Sequence, residues 1–127
     1  MKSGLKNKIK NQATKESKVK NDTRHTETEQ KNNLEHLMEL AKSDDSAFVS
    51  TFRDTYPQFY NKLISLHDGL SNTDIKLCAM IYLNISTKDI AKYTSVGIRT
   101  VQTRRNRFRK KINLDPKRDL FIFLHTL

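Results

Sequence analysis

From residue 34 onward the apolar side chains of this chain recur three and four positions apart, and nowhere do they alternate. Spacing of three and four puts side chains on one face of an α-helix, whereas a half-buried strand needs every second residue apolar. In the segment TETEQKNNLEHLMELAK, Leu34, Leu37, Met38 and Ala41 fall at i, i+3, i+4 and i+7, which predicts a helix over residues 26–42. Glu27 and Glu29 lie in its first turn, where negative charge suits the positive end of the helix dipole. Phe48, Val49 and Phe52 form a second apolar face, and Phe59, Tyr60, Leu63, Ile64 and Leu66 a third. With only three glycines and two prolines in 127 residues, a turn-rich β fold has too few turn residues. The fold class read from this pattern is all-α.

Start and stop signals separate the stripes. Ser43-Asp44-Asp45-Ser46 interrupts the first and is expected to cap the next helix. Pro57 suits a first helical turn, and His67-Asp68-Gly69 reads as a stop. Ser71 with Asp74, and Ser86 with Asp89, have the spacing of capping boxes. Asp115-Pro116 reads as a further helix start. These signals predict helices over 72–83, 87–93, 98–112 and 116–126. The second and third are joined through the tight Thr94-Ser95-Val96-Gly97 connection, which is the spacing of a helix-turn-helix. The first, apolar nearly all round from Leu77 to Leu83, is expected at the centre with Cys78 as a core filler.

Charge is distributed unevenly. The net charge is +10, with +6 in residues 1–24, −3 in residues 25–97, +8 in residues 98–118 and −1 from Asp119 in the rest. Residues 1–24 hold only isolated Leu5, Ile9 and Val19 among Lys, Asn, Ser and Thr, too little apolar surface to offset the entropy of ordering. They are expected to form a disordered basic arm, serving either phosphate attraction or solubility. The domain reading is thus an arm over 1–24, a helical lead-in over 25–69 and a helix-turn-helix domain over 70–127.

The helix over 98–112 carries the functional signal. At 100° per residue, Ile98, Val101, Phe108 and Ile112 fall within an arc of about 80° and are expected to dock on the core. The opposite side presents Arg99, Thr103, Asn106, Arg107 and Lys110, flanked by Gln102 and Arg109. Seven of the thirteen residues from 99 to 111 are Lys or Arg, and none is acidic. Amides can pair with adenine edges, guanidinium groups with guanine, and a threonine methyl with the thymine methyl, while flanking cations neutralise phosphates. A solvated charged face is the plainer reading of a basic helix; the missing acids and the helix-turn-helix spacing weigh against it. Arg105 falls inside the apolar arc, so its stem is expected to be half-buried and its head to meet a carboxylate or carbonyl.

Cys78-Ala79, Leu83-Asn84, Ser86-Thr87-Lys88, Ile90-Ala91, Val101-Gln102-Thr103-Arg104 and Arg107-Phe108-Arg109-Lys110-Lys111 form a set that is specific as a whole. On these residues the segment 70–127 resembles the helix-turn-helix domain of LuxR-type bacterial transcriptional regulators. The preceding FVSTFRDTYPQFYNKL is similar to the short helical lead-in of one variant. The resemblance implies a four-helix domain, preceded here by two or three short helices, whose third helix reads the major groove and whose fourth often supports dimerisation. By position it makes Gln102, Thr103 and Asn106 base-reading and places Lys88, Thr100 and Lys111 against phosphates; Arg99, Arg104, Arg107, Arg109 and Lys110 complete the basic set. Gly97 stands where the family has a capping Ser, and Thr94 where many members have Leu, so looser packing is expected under the turn.

The last helix is unusually apolar. Leu120, Phe123, Leu124 and Leu127 make a core-facing stripe, which leaves Phe121 and Ile122 over. Together with Leu34 and Met38 these are the candidates for a homodimer contact. An enzyme is not expected: His25, His36, His67 and His125 are scattered, and no phosphate loop, carboxylate pair or nucleophile motif is present, so neither metal nor cofactor is called for. A phosphoacceptor receiver domain would need strands. No apolar run approaches the roughly 18 residues of a membrane span, no secretory leader is visible, and the single Cys78 fits a reducing cytoplasm. The expected partner is double-stranded DNA, bound as a homodimer. The alternative is a sigma-factor-like or adaptor module that uses its basic helix on RNA polymerase or another acidic protein.

Overall fold

The computed structural model describes residues 22–127, with side chains from Lys31. The basic arm expected over 1–24 lies outside the described residues except for Asp22–Arg24, which already belong to the first helix. The described elements are α1 (Asp22–Lys42), α2 (Phe48–Thr55), α3 (Pro57–Ile64), α4 (Asn72–Tyr82), α5 (Thr87–Thr94), α6 (Ile98–Lys111) and α7 (Leu120–His125), with no strand among them. The chain is all-helical over these residues. None of the described helices is long and apolar enough to cross a membrane.

Two units are distinguished, residues 1–36 and 37–127. In the first, Leu34 is exposed. The second holds one hydrophobic core running from Leu37 and Ala41 to Leu120 and Leu124. Helices α2 and α3 share their core with the helices that follow.

The centre of the core is α4. Ile75, Leu77, Cys78, Ala79, Met80 and Ile81 are all buried, because α2, α6 and α7 pack around this one helix. Ser71 accepts from the Asp74 amide (3.1 Å) while the Asp74 carboxylate accepts from the Ser71 amide (3.0 Å), so the expected capping box is complete. An aromatic cluster fastens the lead-in helices here. The fully buried Phe52 ring meets Phe59 and Tyr82 edge-on, each at 5.8 Å, and Phe59 stacks on Tyr82 at 4.0 Å. Each such pair adds about 0.5–1.5 kcal/mol to simple burial. His125 of α7 stacks in parallel on Tyr82 at 4.2 Å and donates from Nε2 to the Tyr82 carbonyl (2.8 Å).

Four helices end by one device that no glycine signals. Asp44, Asn84, Ser95 and Asn113 have left-handed backbone, with φ of 52, 65, 58 and 58°. In each case the next residue's amide reaches back to a carbonyl five positions earlier: Asp45 to Leu40, Ile85 to Met80, Val96 to Ala91 and Leu114 to Arg109. This is the Schellman closure, and the apolar residue after the turn (Ile85, Val96, Leu114) packs on the core. Gly69, read as a stop, lies in the loop after α3, where its amide donates to His67 Nδ1 (2.8 Å).

Three expectations are corrected. The acidic run before α2 provides no N-cap: Ala47 occupies that position, Asp45 accepts from the Ala47 amide (2.8 Å), and Asp44 pairs with Lys76. The last helix begins at Leu120, capped by Asp119 (2.9 Å to the Ile122 amide), and not at Pro116. The carbonyls of Asp115, Pro116 and Arg118 converge on the Arg109 guanidinium at 3.0, 2.9 and 2.6 Å. A helical turn aligns its carbonyls along one axis and cannot make them converge, so this segment stays a loop. Thirdly, Ile98 does not join the core and is 48% exposed.

Candidate nucleic-acid interface

The candidate interface comprises α5, its turn and α6. Ser86 caps α5 by accepting from the Asp89 amide (3.1 Å), while the reciprocal half of that capping box is not formed. Ile90 and Ala91 are buried and hold α5 down. Ser95, in left-handed backbone, turns the chain, and Gly97 in extended backbone begins α6 without a side-chain cap. Thr94 spends its hydroxyl on the Ile90 carbonyl (2.7 Å). With Leu77, Met80, Ile90, Val96 and Val101 it lines a partly open cleft of about 140 Å³ beside the turn.

Two anchors fix α6. Val101 and Phe108 are 1% and 0% exposed, and everything on the far side of the helix faces solvent. Arg99, Thr100, Gln102, Thr103, Asn106, Arg107 and Lys110 are all exposed, as is Lys88 on α5. Among the described residues none of these eight has a side-chain hydrogen bond or an ion pair. At 14 residues α6 is about 21 Å long. A helix is about 10–12 Å across with its side chains, close to the roughly 12 Å width of the B-DNA major groove.

The structure gives other work to part of the predicted basic set. Lys111 is turned inward: its Nζ lies 2.7 Å from the Asp74 carboxylate and 3.2 Å from the Gly69 carbonyl. Asp74 is the one buried charged residue among those described, and its side chain is 8% exposed against 25% for Lys111. Burial alone would raise the Asp74 carboxyl, but the Lys111 ammonium and the two bonds with Ser71 outweigh it and hold the group below the usual carboxylate range. Arg109 is half-buried and committed to the 115–118 loop. Arg104 is half-buried at the edge of the cleft beside the turn.

Arg105 has the half-buried stem that its position predicts, but among the described residues its guanidinium makes no hydrogen bond. Burial lowers it from the ordinary arginine range, the Asp119 charge works against that, and the neighbouring Arg109 adds to it. It was Arg109, one turn on, that found the carbonyls.

The candidate dimer residues also separate. Phe121 packs on the core and sits 4.4 Å from the His125 ring, and Met38 packs on the core as well. Ile122, 59% exposed, and Leu34, 39% exposed, stay open. Sequence reasoning missed the Asp74–Lys111 pair and the Arg109 clamp, because both join positions that only the packing of α4 and α6 or the path after α6 brings together. The asparagine caps were within reach: Leu83-Asn84-Ile85 and Ile112-Asn113-Leu114 each place an asparagine before an apolar residue at a helix end. No protein-family model matches the chain, and no curated protein or solved structure matches it.

Proposed function

We propose that this chain is a sequence-specific DNA-binding regulator of transcription that inserts α6 into the major groove and acts as a dimer. The observation that carries the reading is the face of α6 described above: Gln102, Thr103 and Asn106 stand exposed between Arg99, Arg107 and Lys110, with no carboxylate on the helix and two apolar anchors behind it. An exposed amide flanked by cations meets both needs of groove recognition, base-edge pairing and phosphate neutralisation. Gln102, Thr103 and Asn106 are the base-reading set; Lys88, Arg99, Thr100, Arg104, Arg107 and Lys110 are the phosphate set, from which Lys111 and Arg109 are withdrawn by their internal bonds. The LuxR-type resemblance points the same way. The open Ile122 and Leu34 are the dimer contacts that remain from the sequence reading.

A binding selection from random duplex DNA at near-physiological salt tests this. The expected product is a motif with two half-sites about one helical turn apart. Salt-sensitive binding without a motif would reject base reading and leave the acidic-protein alternative, to be pursued by pull-down with RNA polymerase. Within a recovered motif, Asn106→Ala should relax the preference at one base pair by about 1–3 kcal/mol. An equal loss on every sequence would reject its base-reading role.

A further inference from the structure

The first turn of α6 presents an apolar side chain to solvent. Ile98 is 48% exposed, although one turn later Val101 is 1% exposed. Gly97 before it has no side chain, and among the described residues nothing beyond its chain neighbours lies within 4 Å of where a Cβ would stand, so the chain before Ile98 is open on that side. Ile98 is four residues from Gln102 and therefore on the same side of the helix. Helical side chains lean toward the N-terminus, so Ile98 leads at the end of α6 that a helix-turn-helix points at the bases.

The surroundings select what covers it. No residue from 98 to 111 is acidic, and Arg99 and Arg107 flank the exposed face. A partner must therefore be polyanionic and yet offer an apolar group at the depth of the helix tip. In a major groove the group that meets both conditions is the thymine C5-methyl. We propose that Ile98 is a specificity-determining residue that packs on a thymine methyl at the edge of the base set read by Gln102, Thr103 and Asn106. The proposal rests on the DNA-reading function put forward above and adds to it a contact of a different kind, apolar where the others are polar.

The test uses the full chain and the duplex recovered by the selection. Each thymine of a half-site is replaced in turn by uracil, which removes the methyl and leaves every hydrogen-bonding atom in place. Wild-type protein should lose about three- to fivefold in affinity at one position, the size expected for one methyl taken out of an apolar contact. Ile98→Ala should bind the thymine duplex more weakly by a similar factor and be indifferent to uracil at that position. Ile98→Val, which retains both branches, should keep the sensitivity. Circular dichroism melts confirm that the variants fold, as a half-exposed side chain allows.

If uracil is neutral at every position while the motif is still bound, or if Ile98→Ala keeps the same sensitivity, the Ile98 contact is refuted and DNA reading stands. If the selection returns no motif, both fall together. If Ile98→Ala instead shifts a concentration-dependent dimer toward monomer with uracil neutral throughout, a second copy covers Ile98 and the proposal is overturned.

Discussion

Replacing Lys111 by methionine separates a structural cation from a DNA-binding one. The substitution preserves the aliphatic stem and removes the ammonium that lies 2.7 Å from Asp74. Asp74 then keeps the Ser71 amide at 3.0 Å but faces the core with its charge unpaired. Stripping one partner from a fully buried ion pair costs about 3–5 kcal/mol, and losing one hydrogen bond to a charged group about 1.5–3 kcal/mol. Lys111 is 25% exposed, so water can take over part of its role. The lower range applies, and the expected loss is about 2 kcal/mol. For a unit of this size that lowers the thermal midpoint by roughly 8–16 °C.

The pH dependence has a definite sign. The folded-state pKa of Asp74 is depressed, so its stabilisation is fully present above the unfolded value near 3.9 and is lost as pH falls through the lower folded value. The gap between wild type and Lys111→Met should therefore be full at neutral pH and narrow as pH falls through the carboxylate range, beginning with the variant, whose Asp74 lacks the ammonium and protonates first. Thermal melts followed by circular dichroism from pH 7 to pH 3 measure this. A gap under about 0.5 kcal/mol at pH 7 would show the pair to be as weak as an exposed one, and a gap unchanged at pH 3 would show that charge is not its origin. The same variant, assayed with DNA well below its midpoint, should leave the salt dependence of binding unaltered. A slope reduced by about one phosphate would restore Lys111 to the phosphate set.

Three further outcomes are expected. Arg109→Ala should speed amide hydrogen exchange in the 115–119 segment and cost about 1 kcal/mol, since three carbonyls lose their common donor; unchanged exchange there would refute the clamp. Ser95→Gly should raise stability by about 0.5–1 kcal/mol, because Ser95 holds φ at 58°, where a Cβ is unfavourable; a lower midpoint by thermal melt would contradict this. Cys78 is fully buried, and burial, helped by the Asp74 charge and opposed by Arg105, raises its thiol far above the ordinary range. An aromatic disulfide reagent at pH 8 should therefore label it only as fast as the protein unfolds, and rapid labelling of the native protein would refute its burial.

The local signals of this chain were legible because they act over three or four residues. Apolar spacing gave the helices, and the Ser71–Asp74 box, Pro57 and the Ser86 cap gave their starts, since a side chain and the amides it caps are near neighbours in sequence. The polar face of α6 was equally legible: once 98–111 is a helix, Gln102, Thr103 and Asn106 share a side whatever surrounds it. The helix ends were read less well, because the pattern sought was glycine while the chain turns on Asp, Asn and Ser in left-handed backbone.

What needed the tertiary structure was the fate of each cation and each marginal apolar residue. Asp74 and Lys111 are 37 residues apart, and no local rule links them. Only the packing of α6 across α4 brings the ammonium to the capping carboxylate. Arg109 rather than Arg105 captures the loop, because the path of the chain after Asn113 decides which guanidinium the carbonyls meet. Ile98 shows the same limit from the apolar side. Periodicity assigns a residue to a face of its helix, but whether anything covers that face at the first turn depends on the rest of the fold, and here Ile98 stays 48% exposed.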